Sequence, residues 1–406
     1  MEKGEKKRVL YFVPEFPKIS ETFIEREVSK LVDLDNLDIV ILSLNRATGS
    51  TSEEVLKRTV YRRLGEMDFL GGLFYLITHP KKVVRCYKLA ISLTNRSFFS
   101  KMYFLLKSLG YTKIIADLKP QHIHVHFLSW PSTTALIASC ILDIPFSISA
   151  HARDVFVDDE LIKEKAKNAK FINICNSYAY KKVLEIVGDK DKPKVKLIYH
   201  GIDPRLFEGA LKIPKWDVPA IFLGGTRLVE KKGLKYMIEA SKILHDKGIA
   251  HRVDLVGTGD LYDNLVKLIN DLKLPDTVFI HGEGKGTPFK EVLEYYKAAN
   301  IFVSPSIETS AGDVDGVPTV VIEAAMAKLP IISTNAGGIT DFIEDGVTGL
   351  IIEQKNPQAI ANSVEKLLLN KSLADKLAQN AYTKAVKMFD ITKNVDQLES
   401  LLKSWL

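Results

Sequence analysis

The chain has 406 residues, 46% of them hydrophobic and 26% charged, and a formal net charge of +6. These proportions are typical of a soluble globular protein, and the length is too great for one ordinary core, so two domains of about 200 residues each are expected. The three cysteines lie far apart without paired spacing, which argues against a disulfide framework or a zinc site and indicates a reducing, cytoplasmic setting.

The N-terminal stretch MEKGEKKRVLYFVPEF is charged and runs directly into a strand-like segment. It has no apolar core of the length that a signal peptide needs. No stretch of the sequence reaches the roughly 18 apolar residues of a transmembrane helix. We therefore expect a cytoplasmic protein.

Short β-branched segments alternate with amphipathic segments of helix length along nearly the whole chain, which predicts parallel sheets covered by helices. In the first half, strands are predicted over residues 8–14, 38–44, 122–127, 145–150, 171–175 and 194–200. In the second half, they are predicted over residues 220–225, 252–257, 277–282, 301–306, 330–334 and 349–353. The fold class is therefore α/β, with one doubly wound parallel sheet in each half and a linker at 201–220, where proline recurs without clear periodicity.

Segment 57–119 of the first half is strongly basic and rich in large apolar side chains. It has 13 Lys or Arg residues against three acidic residues, a net charge of +10. Basic residues interleaved with bulky apolar ones on helices suit the surface of an anionic membrane. A helical insertion whose apolar side packs on its own domain explains the pattern equally well, and the two interpretations are compatible.

Histidines stand at the ends of two predicted strands of the first half, His126 in HVHF and His151 in SAHARDVF, with Arg153 close behind. A histidine at the carboxyl end of a strand can orient or polarise a substrate hydroxyl, or it can be structural. The loop 16–24, FPKISETFI, leads into a helix, with Ser20 either as its N-cap or in an acceptor site.

The stretch GGTRLVEKKGL follows a predicted strand of the second half. Gly224 and Gly225 let the backbone approach a ligand, and Arg227 and Lys232 lie in the strand-to-helix loop where a diphosphate would bind. Such cations stabilise the charge that builds on a phosphate leaving group. The alternative is a solvated basic loop.

The stretch DVDGVPTVVIEAAM contains two carboxylates eight residues apart, Asp315 and Glu323. Residues 319–327 read as a buried helix with Pro318 in its first turn, so Glu323 needs hydrogen-bond donors from the protein or from ligand hydroxyls. The backbone amides of the helix start suit a phosphate or sugar oxygen; this start comprises Gly316, Val317, Pro318 and Thr319. Asp313 and Asp315 also form Asp-x-Asp, but without other evident ligands no metal site is expected.

Taken together, these stretches resemble the retaining glycosyltransferases of the GT-B superfamily, family GT4, over nearly the whole chain. The family pattern is a glutamate, seven residues and a second glutamate; here Asp315 replaces the first, Glu323 matches the second, and Lys328 stands where glycine is usual. FPKISETFI, HVHF and SAHARDVF are similar to the subgroup that builds exopolysaccharide or lipopolysaccharide on lipid-linked acceptors.

The resemblance implies two Rossmann-like domains facing across a cleft. Residues 1–200 would form the acceptor-side domain with the basic helical insertion at about 57–119, residues 201–390 the donor domain, and residues 391–406 a C-terminal helix packing back on the first domain.

The resemblance also implies roles for single residues. Glu323 would bind the nucleotide ribose, Asp315 would lie by the donor sugar, Arg227 and Lys232 would hold the diphosphate, and His151 would lie near the reacting sugar. The glycines at 224, 225 and 316 and the residues Val317, Pro318 and Thr319 would complete the donor site. The donor would be a UDP- or GDP-sugar, without a metal or other cofactor. The acceptor would be a glycan or lipid-linked saccharide, with an anionic membrane surface as a further partner and no nucleic acid.

Two other functions are compatible with these residues. One is a different GT-B enzyme, either a nucleotide-sugar epimerase or a phosphorylase, although no pyridoxal lysine can be located for the latter. The other is a non-catalytic nucleotide-sugar-binding protein, for which the aspartate at position 315 is the best argument. Release of nucleoside diphosphate without acceptor would favour the transferase.

Overall fold

A computed structural model describes residues 6–18, 21–93, 97–156, 161–209, 217–282 and 286–406. The chain divides into two compact units, Met1–Gly201 with Ile391–Leu406, and Ile202–Asp390. Each unit contains one parallel sheet flanked by helices, so the predicted α/β class with two doubly wound sheets is confirmed.

The sheet of the first unit has seven strands: β1 Arg8–Phe16, β2 Asp38–Arg46, β3 Thr59–Tyr61, β4 His122–His126, β5 Phe146–Ala150, β6 Ile172–Ile174 and β7 Val195–Leu197. Their order is β3-β2-β1-β4-β5-β6-β7, and all neighbours are parallel. Six of them were predicted. The edge strand β3 was missed because three residues carry too little pattern to be recognised.

In the part of the chain that the structure describes, the α-helices before the second unit are α1 Thr22–Leu34, α2 Glu53–Lys57, α3 Glu66–Thr78, α4 Pro80–Ile91, α5 Phe98–Asp117, α6 Trp130–Leu142, α7 Ala152–Phe156, α8 Ile162–Asn168 and α9 Ser177–Ile186. The central strand β1 is buried on both faces. Val9 and Tyr11 lie in the cluster that includes residues of α1, and Leu10 and Phe12 lie in the cluster that includes residues of α5 and α6. Burial on both faces explains why this strand is a continuous apolar run rather than an alternating one.

The second unit has six strands, all of them predicted: β8 Ala220–Arg227, β9 Arg252–Thr258, β10 Val278–His281, β11 Ile301–Ser304, β12 Ile331–Thr334 and β13 Leu350–Ile352. Their order is β10-β9-β8-β11-β12-β13, again parallel throughout. Its helices are α10 Leu234–Asp246, α11 Tyr262–Asp271, α12 Phe289–Ala298, α13 Thr319–Met326, α14 Pro357–Leu369 and α15 Lys371–Phe389.

Helix α13 confirms the helix predicted from residue 319, with one correction. Pro318 is not in the first turn, because its ψ of 131° is extended and places it at the N-cap. Every residue from Val320 to Met326 is buried. Glu323 is therefore held inside the second unit.

The last helix, α16 Ile391–Lys403, belongs to the first unit. Val395, Leu398 and Leu402 lie in the same cluster as residues of α1 and β1. The side-chain amide of Asn394 donates to the carbonyl of Tyr199 at 3.0 Å.

The basic segment forms α3, α4 and α5, which pack on their own unit as one of the two interpretations predicted. Their inner sides form a cluster with α6, comprising Val83, Cys86, Ala90, Leu93, Phe104, Leu105, Leu109, Ile137 and Ile141. Their outer sides expose large apolar side chains beside basic ones such as Lys81, Arg85 and Lys88. Of the 17 large hydrophobic side chains exposed in the described residues, 12 lie between Tyr61 and Tyr103. Within the described ranges, every helix is too short or too polar to cross a membrane.

Candidate functional site

The end of β8 is shaped by its two glycines. The pairing of β8 with β9 shifts register between Gly224 and Thr226, which forms a bulge. Gly225 has φ +67°, and a Cβ there would lie 3.3 Å from Val292, so glycine is the residue that fits this turn. Arg227 ends the strand with an exposed side chain that forms no ion pair with any residue the structure describes. This guanidinium is available to a ligand.

Directly after this strand, the 3-10 turn Glu230–Lys232 places two lysines against the loop that precedes α13. Lys232 Nζ donates to Asp315 Oδ2 at 2.6 Å. Lys231 Nζ lies 2.9 Å from Asp313 Oδ1 and 3.3 Å from Asp315 Oδ1. The structure therefore brings the predicted Lys232 and Asp315 together and adds Lys231, which the sequence analysis did not identify.

These contacts decide the charge of Asp315. Burial raises the pKa of this carboxyl, but the charges of Lys232 and Lys231 outweigh burial and hold the pKa below its usual value. Asp315 is therefore ionised. Asp313 and Asp315 are therefore both paired with lysines.

The glycine-rich loop after β12 packs on the loop that carries Asp315. The Gly338 amide donates to the Asp315 carbonyl at 3.1 Å. Gly337 has φ +57°, and a Cβ there would lie 2.0 Å from the same carbonyl oxygen. Gly316, Val317 and Pro318 then lead into α13, whose first residue is Thr319. The loop that carries Asp315 and the loop after β12 thus form one surface at the helix N-terminus.

Glu323 has a protein donor that the sequence analysis missed. The hydroxyl of Tyr296, on α12, lies 2.9 Å from Glu323 Oε2 and 3.2 Å from the Val320 carbonyl. Glu323 is 3% exposed and Tyr296 is fully buried. Tyr296 belongs to an ordinary amphipathic helix, so no sequence signal identifies it.

In the first unit, His151 directly follows β5 and is buried in a stack of imidazole rings. Its ring centroid lies 5.6 Å from that of His126 and 5.1 Å from that of His200, each with an interplanar angle of 18°. Burial, assisted by His200 and His126, lowers the pKa of His151 well below its usual value. Neither ring nitrogen has a hydrogen-bond partner among the described residues. His151 is thus a buried, neutral imidazole whose Nδ1 lies 3.8 Å from Asp154 Oδ1.

His151, Cys175 and His200 present possible metal-ligand atoms within 4.8 Å of one another. The rings of His151 and His200 are nearly parallel, however. Burial lowers the pKa of both imidazoles, so these rings form a stack of neutral groups.

The position of His151 is set by a buried carboxylate. Asp154 accepts from the backbone amides of His151 at 3.0 Å and of Leu128 at 2.5 Å. Burial raises the pKa of Asp154 to about 6. The fully buried Lys165 donates to the carbonyls of Leu128 and Ser129. These contacts join the loops after β4 and β5.

The predicted site residues are divided between the units. His151 lies in the first, and Arg227, Lys232, Asp315 and Glu323 lie in the second. Ser20 and the side chain of Arg153 lie outside the described residues.

Residues 212–384 match the family described as "Glycosyl transferases group 1". The chain is 34% identical over 168 residues to the amylovoran biosynthesis glycosyltransferase AmsK of Erwinia amylovora, a match that covers 41% of this chain and 40% of AmsK. It is 29% identical over 183 residues to the capsular polysaccharide biosynthesis glycosyltransferase CapM of Staphylococcus aureus, covering 44% of this chain and 45% of CapM. The chain thus matches less than half the length of either relative.

Solved structures match over nearly the whole chain. A glycosyltransferase from Rickettsia africae superposes with a TM-score of 0.71 at 18% identity, covering 99% of both chains. HepE of Anabaena, solved in complex with UDP-glucose, superposes with a TM-score of 0.67 at 15% identity, covering 98% of this chain and 99% of HepE. At these identities the likeness shows the fold, which is that of the GT-B glycosyltransferases.

Proposed function

Because residues 212–384 form a group 1 glycosyltransferase domain within a GT-B fold, we propose that this protein is a retaining glycosyltransferase of polysaccharide biosynthesis. It moves a sugar from a UDP- or GDP-sugar to a hydroxyl of a glycan or lipid-linked saccharide. The observation that carries the proposal is the ionised Asp315 bonded to Lys232 beside the bulged end of β8. The pair would offer a carboxylate to a sugar next to a cation for a diphosphate.

The donor half of the proposal rests on the second unit. Arg227 and Lys232 supply positive charge for the two phosphates, and Gly225 lets the backbone come close to them. Glu323, hydrogen-bonded to Tyr296, would accept from the ribose hydroxyls. Asp315 would accept from hydroxyls of the donor sugar. HepE, a protein of the same fold, was solved with UDP-glucose.

In the proposed reaction, the bond between the anomeric carbon and the diphosphate oxygen breaks, and a bond from that carbon to the acceptor oxygen forms on the same face. The acceptor proton passes to the departing phosphate oxygen. Arg227 and Lys232 stabilise the charge that develops on the diphosphate. Asp315 keeps the sugar in place, because a misplacement of about 1 Å can lower the rate on the order of a hundredfold.

His151 serves the acceptor half of the proposal. Its nitrogens are unpartnered among the described residues, and burial keeps the imidazole neutral. A neutral imidazole can accept from one hydroxyl and donate to another without presenting a charge. It would orient a substrate hydroxyl.

The decisive experiment is a thermal-shift screen against UDP, GDP and their common sugars. A ligand at ~100 times its Kd adds roughly 2.7 kcal/mol to stability, so the true donor stands out. Slow release of nucleoside diphosphate from that donor without acceptor supports a transferase. Binding without any release would indicate a sensor, and no binding of any nucleotide would contradict the proposal.

We further propose that α3–α5 dock on an anionic membrane surface, where a lipid-linked acceptor would be found. Twelve exposed large hydrophobic side chains cluster in or beside these helices, and segment 57–119 has a net charge of +10. Each basic residue near such a surface contributes about 1 kcal/mol, and salt weakens the attraction.

Sedimentation with phosphatidylserine-containing vesicles tests this docking. Phe99→Ser should reduce pelleting at low salt, whereas Leu369→Ser in the second unit should not, although the two side chains are similarly exposed at 84% and 81%. A wild-type protein that stays in the supernatant at low salt would contradict the docking.

A further inference from the structure

Lys231 has no part in the function proposed above, yet it is the more buried of the two adjacent lysines. Its side chain is 6% exposed, against 12% for Lys232. A buried ammonium needs acceptors. Both of its acceptors, Asp313 and Asp315, come from the loop that precedes α13.

The backbone around Lys231 is tied to the same segment. Its carbonyl accepts from the Ile307 amide at 2.8 Å. Gly233, two residues on, has φ +63°, and a Cβ there would lie 1.9 Å from the Pro305 carbonyl oxygen. The turn and the start of the loop thus pack directly against each other. Lys231 is held in position at both its backbone and its ammonium group.

The two oxygens of Asp315 face different lysines. Oδ1 lies 3.3 Å from Lys231 Nζ, and Oδ2 lies 2.6 Å from Lys232 Nζ. With Asp313, the cluster contains two positive and two negative side chains and is neutral as a group. If Lys232 turns to a diphosphate, Asp315 loses the cation on Oδ2, and only Lys231 remains to keep it ionised.

We propose that Lys231 is a positioning residue that retains Asp315 while Lys232 binds the donor's diphosphate. This inference rests on the proposed function. Without Lys231, Asp315 would have Lys232 as its one cation in the cluster, and a diphosphate would have to compete with a buried carboxylate for it. Lys231 thus lowers the competition for Lys232 and keeps the Asp315 carboxylate directed at the sugar.

The test is a double-mutant cycle read as the Kd of UDP and of GDP by calorimetry. Lys231→Met should weaken binding of the preferred nucleotide three- to tenfold, because Asp315 then retains Lys232. Asp315→Ala in the same chain should restore the wild-type Kd or better, since the competitor is gone. If Lys231 had a purely structural role, the loss of affinity caused by Lys231→Met would persist in the Asp315→Ala background. The control is Lys235→Met, an exposed lysine on α10 over the Tyr236 ring, which should leave the Kd unchanged.

Two results would overturn the inference, and they are distinguishable from failure of the proposed function. If wild-type protein binds neither UDP nor GDP, the proposed function fails and this inference with it. If wild type binds but Lys231→Met behaves as Lys235→Met does, or Asp315→Ala does not restore binding, only the role of Lys231 fails. Should Lys231→Met not fold, Asp313→Asn takes its place. It removes the negative charge of Asp313 and should draw Lys231 towards Asp315 and tighten binding; unchanged or weaker binding would overturn the inference.

Discussion

The two sheets have the same parallel topology, but the buried side chains at the carboxyl edge of the first are neutral and those at the carboxyl edge of the second are charged. In the first unit, His151 and His200 stack, and burial keeps both imidazoles neutral. In the second unit, Lys232 and Asp315 are also buried or half-buried, but they keep their charges because they pair. Parallel sheets direct ligands to these edges, and the side chains decide the kind of ligand. Neutral imidazoles suit a hydroxyl, whereas paired ions can exchange partners with an anion.

The largest expected effect comes from removing the Asp315 carboxylate at the carboxyl edge of the second sheet. Asp315→Ala should lower the rate of sugar transfer about a hundredfold, because the donor sugar loses the group that fixes it. The Kd of the nucleoside diphosphate should stay the same or fall, because Lys232 is released from Asp315. Steady-state transfer rates and calorimetry measure the two quantities.

Asp315→Glu sharpens this result. Retained activity would support equivalence with the family's first glutamate, and strong loss would mean that the pocket is built around the shorter acid. Transfer at the wild-type rate by Asp315→Ala would mean that Asp315 does not contact the donor sugar and that its loop only connects β11 to α13.

The cations of the same edge come next. Arg227→Ala and Lys232→Ala should each lower kcat/KM at least tenfold, the scale of one charge-assisted contact. The matched control is Lys235→Ala on the exposed side of α10, which should leave kcat/KM unchanged. Unchanged kinetics in both Arg227→Ala and Lys232→Ala would show that the diphosphate does not bind at this edge.

A smaller effect is expected at Tyr296, which supplies the donor for Glu323. A buried acceptor left without its donor costs about 1–3 kcal/mol, so Tyr296→Phe should lower the melting temperature and weaken nucleotide binding. Glu323→Ala should weaken nucleotide binding more, because it removes the group proposed to contact the ribose. Equal Kd values for wild type and Glu323→Ala would place the ribose elsewhere.

Acid should lower the free energy of unfolding of the first unit by a few kcal/mol more than that of the second. The pKa is lowered by burial to about 3 at His122 and about 4 at His200, and also at His124 and His151. The unfolded chain therefore binds protons first as pH falls below about 6.5, and the first unit loses stability towards pH 4. Asp154, with its pKa raised to about 6, acts in the opposite sense but is a single group.

The ion pair of Asp315 persists through this window, because a lowered carboxyl pKa contributes stability that is lost only below about pH 3.9. Hydrogen exchange at pH 7.5, 6 and 5, resolved by peptide, should therefore show faster opening in the first unit than in the second. His200→Gln should reduce the pH dependence. Equal acid sensitivity in both units would contradict the comparison.

Much of this architecture followed from the sequence alone. Twelve strands were predicted because strands buried on both faces are continuous apolar segments, and loops bound each segment. The spacing of Asp315 and Glu323 and the basic loop after β8 were also visible, since each lies within one short segment. Such features depend on neighbours along the chain, which a sequence displays directly.

The tertiary structure decided which side chains meet. Tyr296 and Glu323 are 27 positions apart, and Lys232 and Asp315 are 83 apart. Nothing in EKKG tells which of its two lysines is more deeply buried, because that depends on how a 3-10 turn packs on a distant loop. Cys86 and Cys140, without paired spacing in the sequence, lie in one apolar cluster for the same reason. Local pattern reports burial, but the partners of a buried polar group are chosen by the packing of elements that are remote in sequence.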